Sequence, residues 1–211
     1  MPVEQIAGQY QASPQTFSDG TIAVQVDAQG NLKTVGGGTP GTPGSGATSV
    51  QGFAYTSTVN LTRTSDTNAY AAGDVVGSAT GSTAALTFAS VGPSGGGDVF
   101  LTASLYSINI AAVPSGMTSF QLALYSVTPP SAYGDNTLWD LPSGDRASFL
   151  GFMPLGTPVD MGATLFVETF GVNKQITVPS GGSLFAYLIT AGAYTPSSAD
   201  VFKIVLKATG V

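Results

Sequence analysis

The sequence predicts an all-β protein: an antiparallel β-sandwich of the jelly-roll type with about eight strands. Three observations lead to this prediction. The chain has 28 glycines and 13 prolines among 211 residues, a share that disfavours helices and suits turns. Apolar and polar residues alternate with a period of two in several segments. Clusters of turn residues, such as GPSGGG at 92–97 and VPSGGS at 178–183, separate these segments.

The first long strand is predicted at Val50–Arg63. Phe53, Tyr55, Val59 and Leu61 lie on one face of it, and small or polar residues lie on the other. One face is therefore expected to be buried and the other to contact water. The same reasoning predicts seven further strands, at residues 84–91, 99–113, 119–127, 164–171, 174–178, 183–190 and 201–208.

Two connections between the predicted strands are long. Residues 64–82 form a polar excursion, and residues 128–163 form an irregular stretch that contains the single tryptophan, Trp139. One helical turn is expected within Ser143–Leu150. Long loops in a domain of this size commonly carry a function or contact a partner.

The N-terminal region differs in composition from the rest of the chain. Residues 1–35 contain one predicted hairpin, with strands at Thr21–Val26 and Leu32–Val35, and residues 36–48 (GGGTPGTPGSGAT) read as a flexible linker before a sandwich domain at 49–211. An isolated hairpin is marginal in water, so this arm is expected to order against another surface. Its apolar residues are the candidate partner-binding set: Ile6, Tyr10, Phe17, Ile22, Val24 and Val26.

Composition also excludes several functions. The chain has no histidine and no cysteine, which removes the usual general base and the thiol nucleophile or thiolate metal ligand. The formal net charge of −6 argues against a nucleic-acid partner. No apolar run approaches the length of a membrane span, and the polar N-terminus does not resemble an export signal. We therefore expect no enzyme, no cofactor, no catalytic or metal site and no membrane partner, with synthesis in the cytoplasm.

The remaining candidates for chemistry lie in or near the 128–163 loop. Asp135, Asp140 and Asp145 could serve as a glycosidase acid and base, but their spacing favours solvated loop acids, with Asp145 near the start of the helical turn. Tyr133 and Trp139 are the candidates for a ligand-facing loop, since ring faces can stack on a sugar. They belong to a wider set of aromatics for which a role in the core or in subunit contacts is favoured: Tyr70, Tyr106, Tyr125, Tyr133, Trp139 and Tyr194.

Three segments resemble small structural proteins of tailed bacteriophages. NLTRTSDTNAYAAGDVVGSATGSTAALTFASV (60–91) is similar to an opening in which a strand ending in T-R precedes D-T-x-A-Y-A-A-G-D-V-V-G. NTLWDLPSGDRASFLGFM (136–153) resembles a D-N-x-x-W-x-L-x-x-x-D-R-x-x-x-L-G loop, and VPSGGSLFAYLITAGAYTPSSADVFKIVLKATG (178–210) is similar to an ending with A-Y-T-P before the last strand. The resemblance covers most of residues 50–211 and implies a structural role in the virion.

The low charge, with 9% charged residues against about 25% in typical soluble proteins, suits copies packed side by side. Together with the resemblance, it favours a capsid decoration or cement protein that binds the outer surface of the head and stabilises it. The expected partners are the major capsid protein or other virion proteins and further copies of the chain, with a homotrimer favoured. The alternative is a glycan-binding or receptor-binding module of a tail or head fibre. A depolymerase that uses the loop acids is the third hypothesis.

Overall fold

The computed structural model describes residues 53–78 and 83–211, together with the backbone of three short strands nearer the N-terminus. These strands are β1 (Gln15–Thr16), β2 (Ala23–Val26) and β3 (Leu32–Thr34). β2 pairs antiparallel with both of the others, and Val26 lies opposite Leu32. Contacts divide the chain into two units, Met1–Gln51 and Gly52–Val211. The predicted linker at 36–48 lies outside the described residues.

The second unit consists of two antiparallel sheets. Its strands are β4 (Ala54–Thr62), β5 (Val75–Val76), β6 (Leu86–Phe88), β7 (Gly97–Ile108), β8 (Phe120–Tyr125), β9 (Phe149–Gly156), β10 (Val159–Asp160), β11 (Leu165–Val178), β12 (Leu184–Thr190) and β13 (Val201–Gly210). Sheet I has the order β10-β11-β7-β13-β4. Sheet II has the order β5-β12-β8-β9, and β6 also pairs with β12. The all-β prediction is confirmed for the described residues, which contain no helix and hence none that could span a membrane.

Both sheets contribute to the main buried cluster. The alternation predicted from the sequence is confirmed in β13, where Phe202, Ile204 and Leu206 are buried in this cluster and Lys203 is exposed. Leu122 and Leu124 of β8, together with Leu184, Ala186 and Leu188 of β12, enter the same cluster from sheet II. Burial of so many aliphatic side chains, each worth about 1.5–3 kcal/mol, is the main stabilising contribution.

Sheet II is covered on its other face as well. Ala123, Tyr125, Tyr187 and Ile189 form a second buried cluster with Val75 and Ala84, and side chains of the long 128–148 connection pack against it: Tyr133, Trp139 and Leu141. The long connection therefore acts as a cover for this sheet. Because both faces are buried, β8 and β12 read as nearly continuous apolar runs, which differs from the strict alternation of β4.

Besides the two-residue strands β1 and β5, which were not predicted, the structure departs from the predicted elements in three places. The segments 164–171 and 174–178 form one strand, β11, whose pairing with β7 is interrupted between Phe170 and Lys174. The stretch 128–163 contains β9 and β10, which were not predicted because Gly151, Pro154 and Gly156 interrupt the pattern of β9. The helical turn expected at 143–150 is wrong: residues 143–148 are turns.

The turn at 113–117 approaches the 191–194 segment closely. Gly116 has φ +85°, and a Cβ placed on it would lie 2.1 Å from the carbonyl oxygen of Ala193. We expect Gly116→Ala to lower the free energy of unfolding by about 2–3 kcal/mol through backbone strain and displacement of the 191–194 segment. Gly162→Ala is the matched control, because Gly162 has φ +98° and its Cβ would meet nothing within 4 Å. Urea unfolding of both variants tests this, and equal losses would contradict the steric contribution.

Candidate functional site

The most connected polar group in the described part of the chain is Arg63, which follows β4 directly. Its guanidinium is fully buried. Nη1 donates to the carbonyl oxygens of Asp66 (3.2 Å) and Ser197 (3.0 Å), and Nη2 donates to carboxylate oxygens of Asp66 and Asp135, each at 3.1 Å. Nε donates to the hydroxyl of Tyr70. We call Arg63, Thr64, Asp66, Tyr70 and Asp135 the Arg63 cluster.

Asp135 is the acidic centre of the Arg63 cluster. Its carboxylate accepts four hydrogen bonds, two on each oxygen: from Arg63 Nη2 (3.1 Å) and Thr64 Oγ1 (2.8 Å) on Oδ2, and from the Tyr70 hydroxyl (2.5 Å) and the Gly77 amide (2.8 Å) on Oδ1. A buried ion pair is tolerated when its remaining donors and acceptors are occupied, and this one meets that condition.

The C-terminal segment joins the cluster through the backbone and one aromatic contact. The Tyr70 amide donates to the carbonyl oxygen of Tyr194, and the Arg63 amide donates to that of Asp200, both at 2.9 Å. The rings of Tyr70 and Tyr194 lie 5.2 Å apart. The 128–148 connection, the 63–78 segment and the 191–200 segment are therefore held together at one buried place.

A second set of contacts lies beside the cluster. Asn136, at φ 60°, directs its amide toward Ala69 and Asp74; with the amide oxygen and nitrogen assigned as these two acceptors require, the nitrogen donates to the Ala69 carbonyl (3.2 Å) and to Asp74 Oδ2 (3.0 Å). Backbone bonds continue this seam, from the Val75 amide to the Thr137 carbonyl and from the Trp139 amide to the Gly73 carbonyl. These bonds fix the path of the cover over sheet II.

The electrostatics match a structural network. Burial, followed by the hydrogen bond to Asp135, raises the pKa of the Tyr70 phenol well above its usual value, so the phenol stays a donor. Every oxygen of Asp135 is occupied by donors from its own chain, so this carboxylate is committed to holding the loops.

The predicted loop acids separate into three different environments. Asp135 and Asp145 are buried, which corrects their interpretation as solvated acids, and only Asp140 is exposed. Asp145 accepts hydrogen bonds from the amide (3.2 Å) and hydroxyl (3.0 Å) of Ser131 across the loop. The three acids do not form one site, and Asp145 stabilises a turn where a helix start was expected.

Tyr133 and Trp139 lie on the same face of sheet II, and both are half-buried. Trp139 Nε1 donates to the hydroxyl of Tyr125 (3.3 Å), and its ring lies 5.8 Å from Phe149 and 5.1 Å from Phe152 between centroids. Trp139 thus anchors the cover. The other predicted aromatics, Tyr70, Tyr106, Tyr125 and Tyr194, are buried, in agreement with a role in the core.

The predicted arm contacts are placed only in part. Ile6, Tyr10, Phe17 and Ile22 lie outside the described residues, and Val24 and Val26 belong to β2. Sequence reasoning missed Arg63 and Tyr70 as a centre. The sequence did contain a signal. Arg63 is one of only two arginines, and it stands at the end of the first long predicted strand, Val50–Arg63, on the apolar face of that strand.

Comparisons with known proteins add no relative. No protein-family model matches the chain, and a search of curated proteins finds no significant match.

Proposed function

We propose that this chain is a structural protein of a phage virion that decorates the outer surface of the head shell and stabilises it as an oligomer. One observation carries the proposal. The three segments that resemble phage structural proteins meet at or beside the Arg63 cluster: Arg63 and Tyr70 come from the first, Tyr194 and Ser197 contact them from the third, and the second, which begins directly after Asp135, is bonded to the first beside the cluster through the Thr137 carbonyl and the Trp139 amide. The resemblance therefore follows a set of three-dimensional contacts.

The strand pairings support a finer description of the fold, a jelly-roll sandwich. Taken in chain order, the eight strands of three or more residues in the Gly52–Val211 unit are β4, β6, β7, β8, β9, β11, β12 and β13. The first of these pairs with the eighth, the second with the seventh, the third with the sixth and the fourth with the fifth. This is the order of a hairpin wound into two sheets, an architecture used by viral capsid domains and by lectins. Fold alone does not assign function, so it supports the proposal without carrying it.

The mechanism proposed is binding without turnover. A shell protein gains stability from ligands that bind only its assembled form, and many weak sites add up over a lattice. Low charge limits repulsion between neighbouring copies, and the apolar residues of the arm supply area that a short hairpin cannot bury alone. The Arg63 cluster holds the loops of the body rigid, so little ordering entropy is lost when the body binds.

The test is attachment to undecorated capsids of the phage that encodes the chain. We expect the full chain to give regular density on the shell in electron micrographs, and we expect deletion of residues 1–35 to abolish it. Val24→Asp with Val26→Asp, in an otherwise intact chain, should weaken attachment in the same direction, because charge disfavours burial of the arm. Circular dichroism confirms that both proteins stay folded.

Three results would contradict the proposal. Attachment that survives deletion of the arm would remove the role given to residues 1–35. Density at the tail alone would move the protein off the head. Absence of binding to the particle, together with a saturable quench of Trp139 fluorescence by host glycans that Trp139→Ala removes, would favour the glycan-binding module. The observation that favours this second function is an exposed aromatic surface: Phe152 is 40% exposed and lies beside Trp139.

A further inference from the structure

The four sheet edges of the Gly52–Val211 unit are not alike. Open edges invite pairing with other chains, and proteins protect them with short strands, charges, prolines or bulges. The edge strand β10 has two residues, one of them Asp160, and beyond it the edge is β11, which carries Glu168 and Lys174 and a register irregularity against β7. β9 carries Pro154 and two register irregularities against β8. The other edge of sheet II lies beside β12 and is formed by β5 and β6, which have two and three residues.

β4 has none of these protections. Its nine residues, AYTSTVNLT, include no charge, no proline and no glycine, and its register with β13 runs without interruption from Thr62 to Ala54. Among the described residues, β13 is the only strand that pairs with β4. About half of the backbone N–H and C=O groups of such an edge strand point away from its neighbour.

We propose that β4 pairs antiparallel with β4 of a second copy, around a two-fold axis at Thr58, so that sheet I continues across the dimer. In this register Thr58 lies opposite Thr58 of the partner subunit, which is a favourable cross-strand pair. Tyr55 lies opposite the partner's Leu61 and Ser57 opposite the partner's Val59, so the core-facing residues of both copies stay on one face. Thr56 lies opposite the partner's Asn60 on the outer face.

Charge does not oppose a second copy as the occupant in this register. The net charge of −6 opposes an arbitrary approach of two copies, but β4 itself contains no charged residue, so no like charges meet across the axis. On the outer face, the adjacent β13 presents Lys203 and Lys207, and Lys207 lies 3.8 Å from Glu168. A partner strand rich in lysine or arginine would approach these cations, whereas a neutral strand such as β4 does not add to them.

The experiment is a charge exchange at the two-fold axis. Sedimentation of the unmodified full chain should give a dimer that dissociates on dilution. Thr58→Lys and Thr58→Asp should each be monomeric at concentrations where the unmodified chain is dimeric, because each places like charges opposite one another. An equal mixture of the two variants should recover the dimer, and native mass spectrometry should show that it contains one copy of each.

The matched control is Thr87→Lys, at an exposed threonine of β6 in sheet II, which should leave the dimer unchanged. If Thr58→Lys is not folded by circular dichroism, Thr56→Lys mixed with Asn60→Asp tests the same register, because the two charges lie opposite one another only in the mixed dimer, which should then exceed its statistical share. A monomeric unmodified chain would overturn the proposal. So would a trimer, Thr58 variants that remain dimeric, folded Thr58 variants that do not recover the dimer on mixing, or a fallback pair that mixes only statistically. The measurement needs no capsid, so its failure is distinct from failure of the head-decoration proposal.

Discussion

Replacing Arg63 with methionine should lower the free energy of unfolding by about 3–5 kcal/mol, the usual cost of removing one partner of a buried ion pair. The substitution leaves Asp135 buried without its cationic partner and leaves the carbonyl oxygens of Asp66 and Ser197 without donors. The cover over sheet II loses an anchor at Asp135, and the loop before β13 loses one at Ser197. Urea unfolding, followed by circular dichroism and by Trp139 fluorescence, measures the loss.

Two variants make this result specific. Lys207→Met removes the cation of a partly exposed pair with Glu168 (3.8 Å), and it should cost less than about 1 kcal/mol. Arg63→Met combined with Asp135→Leu removes both buried charges, so it should be less destabilised than the sum of the two single variants. A loss for Arg63→Met as small as that for Lys207→Met would contradict the structural role of the cluster. Strict additivity in the double variant would show that the two residues are not coupled.

The long strands of sheet I could be predicted because only one of their faces is buried, whereas the two-residue β10 was too short to show a pattern. In β4 and β13 the period of two is visible, and the residues assigned to the inner face, such as Leu61, Phe202 and Ile204, are in the core. β9 could not be predicted in the same way. Its residues pack toward both the core and the Trp139 cover, and its glycines and proline resemble turn signals.

The polar site was harder to predict than the strands. The contacts of Arg63 are with residues 3, 7, 72 and 134 positions away, and a local pattern shows only the first two. Asp135 was identified as a notable acid, but its burial follows from the fold of the cover, which no spacing in the sequence encodes. Arg63, Asp135 and Ser197 lie in three stretches far apart in the sequence, and no local pattern shows that these stretches touch.

Alkaline pH should unfold the protein cooperatively. Burial raises the pKa of Tyr125 to about 12, and burial is also the largest cause of the raised pKa values of Tyr70, Tyr106 and Tyr194. A tyrosine in the unfolded chain has a pKa near 10, so above about pH 10 the unfolded state releases protons that the folded state retains. The stability contributed by these groups is complete below this pH and is lost as the pH rises through the folded-state values.

The expected size is large because the contributions of the four tyrosines add. Each one lowers the free energy of unfolding by about 1.4 kcal/mol per pH unit between its unfolded-state and folded-state pKa, so Tyr125 alone accounts for about 3 kcal/mol. The chain has no histidine and no cysteine, so little change is expected between about pH 6 and 9. Urea unfolding from pH 7 to about pH 11.5, with tyrosinate absorbance recorded in parallel, tests both statements.

Tyr125→Phe supplies the control for this prediction. It removes one of the four buried phenols, so the loss of stability above pH 10 should become shallower by about 1.4 kcal/mol per pH unit. The substitution also deprives Trp139 Nε1 of its acceptor, which lowers stability at every pH without changing the slope. The slope of the free energy of unfolding against pH above pH 10 therefore measures titration, and the difference between the two proteins below pH 10 measures packing. If all eight tyrosines ionise while the far-ultraviolet spectrum stays native, burial of the phenols is not what limits their titration.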